Sequence, residues 1–307
     1  MKKNVFLLLI ILILSSIALH GQTNRALSFD GINDYVDLGN SNILKPELNF
    51  TVEIWAAASN WSASSVGKLF SCTEGGGYSM QFSGGNIVFY VFSQNHGDYR
   101  NASSNVSGLT GWHHFAGVYS QGRYIRLYID GELVNTFDLG SENNAVPYYN
   151  ENHILIGAEA GNTSEAQGEY FQGAMDEFRV WNKARTQEEI KRSMTVEIPA
   201  DADGLVAYYK MDGYSSTILY DNSLNSNDGT VINYIPRINS GTLKAYKPDM
   251  SGTSYIIRDK YDLYWLSHCT DAWSADFNQF VDIIFLERSH IPLPVLTLMV
   301  TPEMVTD

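Results

Sequence analysis

Two cysteines in 307 residues, Cys72 and Cys269, allow at most one internal disulfide, so no cystine framework can carry this fold. An oxidising compartment would permit that bridge, but nothing in the sequence brings the two sulfurs together. Basic residues are scarce too: 20 Lys and Arg stand against 34 Asp and Glu, for a formal charge of −14. Without a basic cluster to neutralise phosphates, nucleic acid is excluded as a partner. The surplus carboxylates suit solubility outside the cell, and they also offer hard oxygens to Ca²⁺. Apolar runs are short, and none approaches the roughly 20 residues of a bilayer-spanning helix, so no transmembrane span is expected in the mature chain.

The longest apolar run follows Met1-Lys2-Lys3, from Val5 to Leu14, and gives way to small residues around Ser15, Ser16, Ala18 and Gly21. Charge, apolar run and small residues in that order predict a secretory signal peptide over 1–21, cleaved after Ala18 or Gly21. No cysteine follows the run, which excludes a lipid-modified N-terminal cysteine there. The mature protein is expected to be secreted or held at the cell surface.

From Arg25 onward, short runs rich in Val, Ile, Phe and Tyr alternate with turn residues, the pattern of an all-β sandwich. Strands are expected at 26–30, 34–38, 50–58, 67–72, 77–83, 86–92, 112–119, 123–130, 132–138, 153–158 and 170–181. In Arg123 to Asp130, Ile125, Leu127 and Ile129 alternate with Tyr124, Arg126 and Tyr128, placing two sets on opposite faces. Asp130-Gly131 then supplies the positive φ angles of a type I′ hairpin. Gln94 to Ser107, Ser141 to Asn152 and Gly161 to Gly168 read as polar loops.

Thr186 with Glu189 three residues on is a capping box, predicting a surface helix over 186–194. One more strand, Gly204 to Met211, precedes a run rich in Asn, Ser and Asp from Asp221 to Gly229. The segment 196–233 reads as a closing strand and loop or as a partial second unit. Residues 234–307 show no steady period and stay unassigned. Their last apolar stretch looks unlike a finished domain edge, so a longer architecture is expected.

Leu27-Ser28-Phe29-Asp30-Gly31, Asp34-Tyr35-Val36 and Phe50-Thr51-Val52-Glu53-Ile54-Trp55 open an ordered series. Gly111-Trp112-His113-His114, Leu127-Tyr128-Ile129-Asp130-Gly131, Ile154-Leu155-Ile156-Gly157 and Phe171 to Trp181 continue it. The series resembles laminin-G-like, concanavalin-A-type jelly rolls of exported bacterial proteins. The resemblance implies a two-sheet antiparallel jelly-roll β-sandwich over 22–195, with a short surface helix and an irregular C-terminal appendage. Independently of it, Gly31 and Gly131 permit tight turns, and Trp55, Phe115 and Phe178 can fill a core between sheets about 10 Å apart.

The resemblance implies Ca²⁺ near loops at one end or face, for which Asp30, Asp34, Glu159 and Asp176 are the candidate ligands. Glu159 follows the Ile-Leu-Ile-Gly run where the pentraxin branch places a ligand. Gly161 and Gly75-Gly76-Gly77 stand where that branch would have others, so a two-calcium site is not expected. Asp30 and Asp34 can equally cap turns, and Asp176 and Glu177 can equally sit on an exposed strand face.

The fold also houses glycan hydrolases, but the Glu-x-Asp-x-x-Glu pattern of its β-glucanase members is absent. Asp176 and Glu177, being adjacent, would face opposite ways, as would His113 and His114. No catalytic residue is assigned. Sugar binding uses exposed aromatic faces flanked by polar groups, and the loops offer Trp61, Tyr99, Tyr148 and Tyr149. The sequence therefore points to a non-catalytic recognition or adhesion module for a polysaccharide or surface glycoprotein. A glycoside hydrolase and a structural spacer remain the alternatives.

Overall fold

A computed structural model describes residues 24–63, 67–73, 75–93, 97–140, 147, 149, 151–161, 165–213 and 215–240, with three short strands beyond. The expected signal segment and Cys269 lie outside the described residues. In chain order the elements are β1 (Arg25–Asp30), β2 (Tyr35–Asp37), β3 (Phe50–Ala58), β4 (Gly67–Ser71), β5 (Tyr78–Ser83), β6 (Asn86–Ser93), β7 (Asp98–Asn105) and β8 (His113–Ser120). Next come β9 (Tyr124–Ile129), β10 (Glu132–Asp138), β11 (Leu155–Ile156), β12 (Gln172–Trp181) and the helix α1 (Gln187–Ser193). The last in this unit are β13 (Leu205–Tyr209), β14 (Ile218–Leu219), β15 (Gly229–Ile232) and β16 (Arg237–Asn239).

The strands form two antiparallel sheets of eight, the jelly-roll sandwich implied by the sequence. One runs β10-β9-β8-β3-β12-β1-β16, with β13 also on β12; the other runs β14-β15-β2-β11-β4-β5-β6-β7. The core lies between them, where Phe29, Phe50, Phe70, Phe89, Phe115 and Phe178 are all buried. Sheet approach is close enough at Gly117 that a Cβ there would meet the Phe89 ring at 2.5 Å. Trp55 departs from its expected place: alternation puts Ile54 and Ala56 in the core and turns the indole outward, where it donates to the Met194 carbonyl at 2.7 Å.

The hairpin at Asp130-Gly131 has φ of 51° and 76°, and α1 begins with the complete Thr186/Glu189 capping box. Eight residues of the stretch read as a polar loop, Asp98–Asn105, instead form the edge strand β7, paired with all of β6. Only Ala102 in that strand is buried, so apolar alternation, the signal that marks a strand, is missing. After α1 the chain returns to both sheets: β13 pairs with β12, and β15 pairs with β2. A separate unit, Ala245–Asp307, is described through β17 (Met250–Ser251), β18 (Ser254–Ile257) and β19 (Phe277–Gln279). There β18 pairs antiparallel with β17 and parallel with β19.

On the outer side of the first sheet, α1 packs Ile190 against Ala116, Val118 and Tyr128. Beneath its C-terminal end lies a buried ionic network of Glu53, His114, Glu177, Arg179 and Arg185. Arg179 pairs with Glu177 and donates to the Ser193 and Val196 carbonyls, both at 2.8 Å. Arg185 pairs with Glu53, donates to the Glu189 carbonyl at 2.7 Å, and lies 4.1 Å over the Trp181 ring. Carbonyls left over at the helix end are thus taken by arginines rooted in and beside the sheet.

Burial alone would raise the Glu53 carboxyl, but Arg185 and His114 hold it down at about 2. Burial also lowers His114, whose Nε2 stands 3.4 Å from Glu53, against the pull of that carboxylate. The unfolded chain protonates this histidine near pH 6.5 while the folded chain resists, so its contribution is present above that pH and lost on acidification. Glu177, raised by burial, runs in the opposite sense. Urea midpoints of wild type and His114→Gln, measured between pH 7.5 and 5, are expected to converge as the wild type loses ground. Parallel curves would remove His114 from the acid response.

Candidate functional site

The second sheet presents Tyr78, Met80 and Phe82 of β5, and Ile87, Phe89 and Val91 of β6, to the core. Alternation therefore turns Gln81, Tyr90 and Phe92 to its outer face. Register does the rest. Lys68 of β4 lies opposite Gln81, Ser79 opposite Tyr90, and Phe92 opposite Tyr99 of β7. These strands line a cleft of about 280 Å³ bounded by Lys68, Thr73, Gly75, Gln81, Tyr90, Tyr99 and Glu159.

One wall is aromatic. The Tyr99 ring meets Phe92 edge-on at 5.0 Å and Tyr90 at 6.2 Å. Its hydroxyl donates to the Gly76 carbonyl at 2.8 Å, which fixes the ring. The other wall is charged. The Lys68 ammonium, almost fully buried, sits 2.6 Å from Glu159 Oε2 and 3.3 Å from Glu169 Oε2, and donates to Gln81 Oε1. Thr73 donates to the other Glu159 oxygen. Burial raises the Glu159 carboxyl, opposed by Lys68 and Thr73.

Both glutamates are delivered by one fold-back of the chain after β11. Glu159 donates its N–H to the Gly168 carbonyl and accepts from Gln167 N–H, each at 2.9 Å. Lys68 N–H in turn donates to the Glu169 carbonyl at 2.9 Å. A second cleft, of about 300 Å³, opens at the adjoining end of the sandwich, lined among others by Gly67, Phe82, Glu169, Tyr170 and Gln172.

Of the aromatic residues singled out in the sequence, Tyr99 lines this cleft. Trp61 is 3% exposed, its ring packed on Phe82 at 5.7 Å and Phe115 at 5.4 Å, so it is a core residue and not a loop platform. Tyr149 is also turned inward, donating to the Pro46 carbonyl at 2.8 Å beside Tyr78, and burial pushes its phenol well above the usual range. Tyr148 lies outside the described residues.

The four carboxylates considered for calcium do not share a place. Asp30 and Asp34 form a turn: Asp34 Oδ2 accepts from Asp30 N–H at 3.1 Å, and Asp30 Oδ1 from Ile32 N–H at 2.8 Å. Burial raises the Asp34 carboxyl. Asp176 accepts from the Ser240 hydroxyl at 2.6 Å, and Glu159 is paired as above. Among the described residues no group of three or more His, Cys, Asp and Glu side chains is gathered. As a set the four do not fit the six to eight oxygens Ca²⁺ takes.

Asp176 and Glu177 are buried, not on an exposed face. A register shift between Asp176 and Arg179 and a φ of 57° at Glu177 turn that carboxylate under α1. His113 and His114 do separate: His113 Nδ1 meets Asp130 at 2.7 Å, while His114 joins the buried network. Cys72 is a free thiol, and burial raises it to about 12. Lys68, Thr73, Gln81 and Tyr90 carried no motif, and only alternation within β5 and β6 marked Gln81 and Tyr90 as outward.

Compared with known proteins, residues 30–191 match a laminin-G model described as the concanavalin A-like lectin/glucanases superfamily. No curated protein matches the chain in sequence. Among solved structures, a Bacteroides ovatus protein described as a candidate carbohydrate-binding protein is similar at 23% identity and a TM-score of 0.55. That likeness covers 72% of this chain and 61% of the other, and is one of fold. Botulinum neurotoxin type C, described as dependent on two ganglioside molecules for cell entry, is similar at 15% identity and a TM-score of 0.42, over 54% of this chain and 41% of its own. Mouse laminin alpha1 domains LG4-5 are similar at 15% identity and a TM-score of 0.39, over 53% and 44%.

Proposed function

Because the chain belongs to the concanavalin A-like lectin/glucanase superfamily, we propose that it is a carbohydrate-recognition protein whose site is the cleft on the outer face of β4 to β7. One observation carries the reading: a fixed aromatic wall of Tyr90 and Tyr99 stands across from an ordered polar set of Lys68, Thr73, Gln81 and Glu159. Sugar rings stack their C–H faces on aromatics while their hydroxyls exchange hydrogen bonds with such groups. Polysaccharides or surface glycoproteins are the partners of this proposal, met outside the cell.

A glycoside hydrolase would hold two carboxylates around a scissile bond, about 5 Å apart if retaining and roughly 6.5–9.5 Å apart if inverting. Glu159 and Glu169 do converge, but on the Lys68 ammonium, which pairs with both carboxylates. The pair therefore supports binding better than acid and nucleophile roles.

Glycan-dependent rise of the thermal midpoint tests the proposal, since a ligand bound only to the native state stabilises it by mass action. Tyr90→Ala is expected to weaken binding about ten-fold, or about 1.4 kcal/mol. Tyr99→Phe, which keeps the ring, is expected to retain most of the affinity. Equal binding by wild type and Tyr90→Ala would move the site elsewhere.

A further inference from the structure

Resting on that reading, we propose that the cleft selects uncharged saccharides over anionic ones, and that Glu169 sets this selection. Lys68 has three N–H donors. Gln81 accepts from the ammonium, and Glu159 and Glu169 both pair with its charge. Its single positive charge is thus already met by two carboxylates before any ligand carboxylate or sulfate arrives. The only other basic side chain on β4 to β7, Arg100, faces Asp98 at 3.6 Å. Two carboxylates against one ammonium leave the polar wall with an excess of negative charge.

The two glutamates differ in what a ligand meets. Glu159 is buried behind Lys68 and Thr73, whereas the Glu169 side chain, 41% exposed, flanks Lys68 from outside the cleft lining. Glu169 lines the second cleft, beside Tyr170 and Gln172, and reaches the first through its pairing with Lys68 at 3.3 Å. Its backbone is left-handed, with φ of 50°, a conformation that favours glycine. A glutamate held there against that preference marks a position where the side chain matters. Sugar hydroxyls can donate to this carboxylate, while an anionic sugar meets its repulsion.

The test uses saccharide pairs that share a backbone and differ in whether it carries charge. Oligosaccharides of methyl-esterified homogalacturonan are compared with the same material de-esterified, and laminari-oligosaccharides with their sulfated forms, by calorimetric titration of the full chain. In at least one pair the neutral member is expected to bind at least about ten-fold tighter. Glu169→Gln should shrink that gap to about three-fold, mainly by tightening the anionic member, and high salt should shrink it in wild type. Glu169→Gly should shrink the gap likewise while raising the thermal midpoint, because strain is relieved, which separates selection from folding. Anionic members binding as tightly as neutral ones, or a gap unchanged in Glu169→Gln, would overturn the inference while leaving saccharide binding intact. Binding of no member of either pair, with Tyr90→Ala indistinguishable from wild type, would overturn the saccharide reading itself.

Discussion

Replacing Arg179 with Met is expected to cost about 3–5 kcal/mol of folding free energy, the range for breaking a buried ion pair from one side. Against a typical total of about 5–15 kcal/mol that is a large fraction. Arg179 is fully buried, and so is Glu177, its carboxylate partner. The substitution removes the cation and strips donors from the Ser193 and Val196 carbonyls, which hold the end of α1 to the sheet. It leaves Glu177 with the Tyr208 hydroxyl, at 2.5 Å, and the Lys210 charge in place of the guanidinium. Burial already raises the Glu177 carboxyl. Without the guanidinium it should rise further and take a proton. Urea unfolding at pH 7.5 measures the loss, and the double variant Arg179→Met/Glu177→Gln should recover a substantial part of it. A single-variant loss under about 1 kcal/mol, or no recovery in the double, would mean that the network does not hold the helix.

The sandwich was legible because its strongest signals are local. Ile125, Leu127 and Ile129 alternate over one short strand, Asp130-Gly131 names its own turn, and Thr186 with Glu189 announces the helix. Strand β7 was not legible, since an edge strand with one buried residue has no apolar rhythm to read. Trp61 was misread for a related reason: a tryptophan in a polar-looking loop is apolar surface in search of a core, and Phe82 and Phe115 supply one from distant strands. The cleft could not be read because its residues meet only through strand register. Tyr99 and Glu159 were singled out for unrelated chemistries, one for sugar and one for metal, yet the fold sets them around a single cleft. The lysine that binds Glu159 comes from a third strand with no motif, and that contact turns the carboxylate from a metal ligand into half of an ion pair.

Asp221→Ala is expected to cost about 3 kcal/mol or more, since each buried donor left unmade costs about 1–3 kcal/mol. Asp221 Oδ1 accepts from the Tyr208 and Ser223 N–H groups, and Oδ2 from Asn227 N–H and the Ser223 hydroxyl, all at 2.9 Å. Around that carboxylate the loop ties the two sheets: Asn225 Nδ2 donates to Val206 of β13 at 3.0 Å, and Asn227 Nδ2 to Leu38, just past β2, at 3.0 Å. Alanine keeps none of these bonds, whereas asparagine keeps one oxygen and turns an amine toward the remaining donors. Its loss should therefore fall between wild type and alanine. Amide exchange should quicken at Tyr208, Ser223 and Asn227 in Asp221→Ala while the amides of β5 and β6 stay protected. An unchanged urea midpoint would remove this loop from the forces joining the sheets. The loop adjoins β15 and β14, at the other end of the sheet from β4 to β7. Glycan affinity at a temperature where Asp221→Ala is folded should match wild type, because the residue stabilises the scaffold without touching the cleft.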